Sequence, residues 1–200
     1  MNETKKILIK LTWDDEKVEN KNRNFETAQL AARLYMMIRE ELDKSGKDKV
    51  LLLCIGTDRS TGDSLGPLIG YQLKDRELKH IRVLGTLNRP VHAMNLEDTL
   101  SIVEQYYQDH LVIAVDASVG MHDHIGCITV GRGSLKPGLG VSKELRSVGD
   151  LFITGVVSSC GDYDPVMLQS IRLSVVMRMA ECISESVCIV EKLWESMALV

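Results

Sequence analysis

The chain is 200 residues long, 44% apolar and 26% charged, a composition that fits one ordinary globular domain able to bury its core without disulfides or a structural metal. Its 24 Lys and Arg against 28 Asp and Glu give a formal net charge of −4 with no basic block, which argues against nucleic acid as the principal partner. Five cysteines, at 54, 127, 160, 182 and 188, form no CxxC pair and read as reduced thiols. The opening MNETKKILIKLTWDDEK breaks its short apolar run with Lys10, so neither a signal peptide nor a membrane span is expected, and the expected address is the cytoplasm.

In chain order, Ile7, Ile9, Leu11 and Trp13 alternate with polar residues, the period of a half-buried strand at a sheet edge. Residues 14–24 are nearly all polar and read as a solvated connection. From Asn24 as N-cap, Ala31, Leu34, Ile38 and Leu42 predict a helix over 25–44 that stops at Gly46. Three continuous apolar runs follow, at 50–56, 81–87 and 110–118, with helical patterns near 64–78 and 95–107 between them. That order is βαβαβ and implies a parallel sheet with right-handed crossovers. Further strands are predicted at 126–133 and 151–159, on either side of a loop rich in Gly and Pro. The last helix opens with Asp164 as N-cap and Pro165, and carries apolar residues at 168, 171, 175, 179, 183, 187, 190, 194 and 197. A second stripe of Leu173, Val176, Met177 and Ala180 suits either a homo-oligomer contact or a fully covered core helix. The fold expected is an α/β three-layer αβα sandwich around a mostly parallel sheet with a mixed edge. One domain over 1–200 is expected, with an edge strand and polar connection over 1–24 and the core over about 25–198.

In such a sheet ligands bind beyond the carboxyl ends of the strands, so the loops after strands deserve inspection. The first, GTDRSTGDSLGP, carries Gly56, Thr57, Asp58, Arg59 and Asp63. It is no P-loop: where a phosphate-binding lysine would stand there is Asp63, whose charge repels phosphate, and no GxGxxG is present. Asp63 is either a functional acid or a cap for the helix that follows. The second loop begins at Asp116, an acid at the end of a five-residue apolar run, where a lone carboxylate is costly unless paired or bonded to backbone N–H groups. Two acids ending neighbouring strands can face one another and share a proton, the basis of an acid and a base for water attack. Spacing alone leaves that reading level with a structural one. The third loop, residues 131–145, holds Pro137 and Gly138 and reads as a flap over an extended substrate or an ordinary surface loop. His122 and His124 lie in MHDHIG, a turn between strands that could join the acids in a metal site. Cys160 ends a strand and suits small-residue packing better than nucleophilic catalysis, while Cys54, Cys182 and Cys188 read as core.

The strings LLLCIGTDRSTGDSLGPLIG, VIAVDASVG, LKPGLGVSKEL and LFITGVVSS resemble the YyaC-type sporulation protein family over residues 48–198. That family is similar in fold to the spore germination protease and the hydrogenase maturation endopeptidases. The germination protease motif Asp-Ala-Leu-Gly-Pro falls on Asp63, Ser64, Leu65, Gly66 and Pro67, its second essential Asp on Asp116, and its His-Pro-Gly-x-Gly-Val on Lys136, Pro137, Gly138, Leu139, Gly140 and Val141. The resemblance implies an unusual aspartic-type endopeptidase in which Asp63 and Asp116 carry the chemistry, without cofactor or metal. Gly56, Thr57, Asp58, Pro137 and Gly138 would then border a protein or peptide substrate, with spore proteins of the sporulating cell or forespore as candidates. Maturation enzymes add a His that grips nickel, and this chain has no His from 125 to 200. Two alternatives accompany this reading: a non-catalytic binding or regulatory protein on a protease scaffold, and a metal-dependent hydrolase using Asp63, Asp116, His122 and His124.

Overall fold

The structure is a computed structural model that describes residues 6–11, 16–138, 145–159 and 171–197, and the side chains of all of these except 16–21 and 197. Six strands form one sheet: β1 (Ile7–Lys10), β2 (Lys49–Cys54), β3 (Ile81–Leu84), β4 (His110–Gly120), β5 (Cys127–Arg132) and β6 (Leu151–Ser159), in the order β1-β5-β6-β4-β2-β3. β3, β2, β4 and β6 run parallel, whereas β5 is antiparallel to β6 and β1 antiparallel to β5, so the sheet is parallel with an antiparallel edge.

Four helices cover it: α1 (Glu16–Ser45), α2 (Leu65–Leu73), α3 (Leu96–Tyr106) and α4 (Leu173–Met197). α1, α2 and α4 pack on one face over Leu52, Cys54, Ile113, Val115 and Ile153, with Leu34, Ile38, Ile69, Met179 and Ile183 filling the layer. The opposite face is covered by α3, through Leu96 and Leu100, and by Leu145 and Val148, against Leu53, Ile55 and Ala114. The three-layer αβα arrangement follows from β2 and β4 being apolar on both faces, which demands cover on each side.

Two helices differ from the expectation, and β3 stops at Leu84 rather than 87. α1 is already helical at Glu16, so residues 16–24 are not a loop and Asn24 lies inside the helix. Glu, Lys and Arg are strong helix formers and can extend a helix beyond its buried stripe without adding apolar residues. α2 ends at Leu73 rather than near 78, and is entered through a 3₁₀ turn, Gly62–Ser64. On α4, Met179, Ile183, Val187, Val190 and Trp194 are buried as the periodicity predicts, and Val176 and Ala180 of the second stripe are buried with them. Of the same stripe, Met177 is half-buried and Leu173 exposed. Trp13, Cys160, Asp164, Pro165 and Leu168 lie outside the described residues. Among the described residues no helix is long and apolar enough to cross a membrane.

Candidate active site

β2 is the most apolar strand and is paired on both sides, by β3 and β4. At its carboxyl end Ile55 donates its N–H to Val115 O (2.7 Å), and Gly56 N–H donates to Val91 O (2.8 Å). There the chain leaves the sheet through Gly56, whose φ of +136° is open to glycine; a Cβ would overlap the carbonyl oxygen of Asp63. The loop closes on itself, with Thr57 N–H donating to Asp63 O at 3.0 Å and Ser64 Oγ to Thr61 O at 2.6 Å. Asp63 therefore stands at the middle of the 3₁₀ turn, beyond the end of β2. Its side chain caps neither that turn nor α2, both of which begin without a side-chain cap bond. Gly66, in the first turn of α2, fixes the turn's height above the sheet, because its Cα packs against the Ile55 carbonyl where no Cβ would fit.

Asp116 sits on β4 opposite Thr154 of β6 and is 4% exposed. Its Oδ1 accepts from Ala117 N–H (2.8 Å) and its Oδ2 from Gly138 N–H (3.4 Å). The third loop thus touches the acid itself. It is held there by the reciprocal bonds of Leu135 and Val148 (3.0 and 2.9 Å) and by Gly133 N–H to Asp150 O (2.8 Å). Pro137 beside it is buried.

Burial raises both carboxyl groups. Asp63 is pushed up to about 6 by desolvation, opposed by the Thr57 N–H. Asp116 is raised well above the usual carboxylate range, first by burial and then by the charge of Asp63, with the N–H groups of Ala117 and Gly138 opposing. The acids of the first and second loops thus stand within electrostatic reach of one another. Both acids are held above the usual carboxylate range, and ionising one opposes ionising the other.

The remaining candidates separate. Thr57 is half-buried within the loop, while Asp58 and Arg59 point into solvent. His122 and His124 occupy a 3₁₀ turn beyond the far end of β4, where the exposed His122 lies 3.8 Å from Asp123. Among the described residues no three His, Cys, Asp or Glu gather as a metal-ligating group, so the two histidines do not join Asp63 and Asp116 in one. Cys54 and Cys182 are buried, and burial pushes both thiols up, Cys182 to about 11.

Sequence reasoning passed over His92. It follows Val91, the partner of Ile55, on the loop after β3 at the same sheet edge. His92 N–H donates to Asn95 Oδ1 (2.8 Å), and its Nδ1 accepts from Met94 N–H (3.3 Å), which leaves Nε2 as the protonated nitrogen. Its one signal in the sequence was its place after a strand. It also passed over the length of β4, which runs to Gly120, four residues beyond Asp116.

Comparison with known proteins places this geometry in context. The chain is 41% identical over 165 residues, 82% of its length and 80% of the relative's, to the uncharacterized protein YyaC of Bacillus subtilis (strain 168). Among solved structures it is similar to a [NiFe] hydrogenase maturation protease, HycI from Thermococcus kodakarensis KOD1, at 21% identity and a TM-score of 0.42, covering 72% of this chain and 95% of that one. The family model described as a protein of unknown function, DUF1256, matches residues 19–186, and the chain belongs to that family.

Proposed function

We propose that the chain is a peptidase-like hydrolase in which Asp63 and Asp116 share one proton and activate water against a peptide bond. The observation that supports this most is the pair itself: two carboxyl groups from separate loops, both raised by burial, with Asp63 acting on Asp116. In this mechanism ionised Asp63 takes a proton from water as its oxygen attacks the scissile carbonyl carbon. Asp116 gives its proton to the carbonyl oxygen; collapse of the tetrahedral species then breaks the C–N bond as the proton on Asp63 passes to the leaving nitrogen and a hydroxyl proton of the diol returns to Asp116, which restores both acids. Gly56 and Thr57 on one side and Pro137 and Gly138 on the other would flank the substrate. The sequence resemblance to YyaC-type sporulation proteins makes proteins of the sporulating cell the substrates to try first.

A second reading rests on a specific contact. Both oxygens of Asp116 already accept main-chain N–H groups, from Ala117 and Gly138, so this acid can serve only to fasten the third loop to β4 in a non-catalytic binding protein. Incubating wild type and Asp116→Asn with extracts of small spore proteins separates the two. Cleavage by wild type that is lost in the variant supports the peptidase. Intact substrates with wild type, bound equally by both chains, support the scaffold.

A further inference from the structure

Main-chain direction along β4 is fixed by two independent anchors. Val115 O accepts from Ile55 on the β2 side, while Val112 donates its N–H to Asp150 Oδ2 and accepts at its O from Asp150 N–H on the β6 side. Along a strand these groups alternate. Odd-numbered residues therefore turn their N–H and C=O toward β2, and even-numbered ones toward β6. Asp116 Oδ1 on Ala117 N–H agrees, since it places the carboxylate on the odd, crevice side.

β4 and β2 end at different heights. Pairing with β2 stops at Cys54 opposite Val115, and Gly56 carries the chain out of the sheet. Pairing with β6 continues through Ala117, Ser118, Val119 and Gly120, with a register shift between Ser118 and Val119 at which β6 carries the extra residue, Val157, so the alternation runs on along β4. Among the described residues no strand pairs with Ala117–Gly120 on the β2 side. Among the described residues nothing pairs with the Ala117 C=O, the Val119 N–H or the Val119 C=O, which form a short strand edge directly after Asp116. Ser118, Val119 and Gly120 are half-buried.

We infer that an extended polypeptide segment binds by adding as a strand to the Ala117–Val119 edge, in the place β2 vacates, which lays its backbone across Asp63 and Asp116. This rests on the peptidase reading and names its substrate class: unfolded or terminal chain, recognised chiefly through main-chain groups. Folded proteins, whose strands are already paired, are excluded from the crevice.

The probe is fluorescein-labelled β-casein, an extended polypeptide, with native ribonuclease A as the folded control. Fluorescence polarisation is read with the full chain carrying Asp63→Asn, so that the probe stays intact, and amide hydrogen exchange at Val119 is read in parallel. Casein but not ribonuclease should bind and slow exchange of the Val119 amide at least about tenfold. Adding Val119→Pro, which removes one edge donor at a position where proline suits a strand edge, should weaken binding about tenfold. If that variant lacks a cooperative melt, the exchange measurement decides alone. Casein bound with Val119 unprotected, or casein not bound at all, overturns strand addition. Cleavage of casein by the chain with native Asp63, with Val119 unprotected, overturns strand addition and leaves the peptidase standing. Protection of Val119 without cleavage leaves strand addition standing and removes the peptidase.

Discussion

Two regions of this molecule bury carboxylates and treat them in opposite ways. Between α1 and α4, Glu26 (5% exposed) meets Arg178 at 2.8 Å, and near the start of β3 Glu191 (2% exposed) accepts from the N–H groups of Lys79 and His80 and bonds the His80 ring. Each buried negative charge there has a dedicated cation or a set of donors. At the carboxyl edge of the sheet, Asp116 has two N–H donors and, among the described residues, the charge of a second acid, Asp63, acting on it rather than that of a cation. The helical layer matches its acids with a cation or N–H donors, whereas at the sheet edge burial and the charge of Asp63 both raise Asp116. A buried acid left beside another acid is a proton-holding device, because ionising both is costly.

The largest effect should come from removing one acid of the edge pair. Asp63→Asn and Asp116→Asn should each lower peptide cleavage by about 10²- to 10⁴-fold, the usual worth of acid–base assistance. The rate of the wild type should rise with pH along a limb near 6 as Asp63 ionises, and Asp63→Asn should lack that limb. Residual activity that keeps the limb would show that another group is the base.

Breaking the helical-layer pair tests the other half of the contrast. Arg178→Met strands the Glu26 carboxylate in the core and should cost about 3–5 kcal/mol by urea denaturation, while the joint change Glu26→Gln with Arg178→Met should recover most of that loss. A single variant as stable as wild type would mean that Glu26 is not held by Arg178.

A subtler effect follows from proton linkage. Asp63 has a folded pKa raised above its unfolded value, so its contribution to stability is full at low pH and is lost as pH rises through about 6. Asn does not titrate. Relative to wild type, Asp63→Asn should therefore gain about 2 kcal/mol of stability between roughly pH 4 and pH 7, measured by denaturant titration at each pH. A constant difference would mean that the carboxylate is solvated in the folded protein. Of similar size is the effect expected of Gly66→Ala, which pushes α2 off the Ile55 carbonyl, costs about 1–3 kcal/mol and shifts the pH limb through displacement of Asp63.

Sequence reading reached the strands because β2 and β4 are unbroken apolar runs, and it singled out Asp116 because that acid ends such a run and Asp63 because it stands in the glycine-bearing loop that follows one. It could not reach the start of α1, since a solvated helical extension has no apolar period to reveal it. It also missed the bond from Gly138 to Asp116, which joins residues 22 apart through a loop whose path depends on Val148 and Asp150. The Glu26–Arg178 pair spans 152 residues and required knowing that α1 and α4 are neighbours.

The seating of Gly66 on the Ile55 carbonyl has a consequence for heat and for drift in sequence. Backbone resting on backbone has no rotamers to exchange, so the position of Asp63 does not depend on which hydrophobic side chains fill the layer beneath it. Substitutions such as Ile69→Leu or Leu73→Met can soften the interior and lower the melting temperature while the two acids keep their spacing. Stability and site geometry can then vary separately, and warming should loosen the helical layer before it parts the pair.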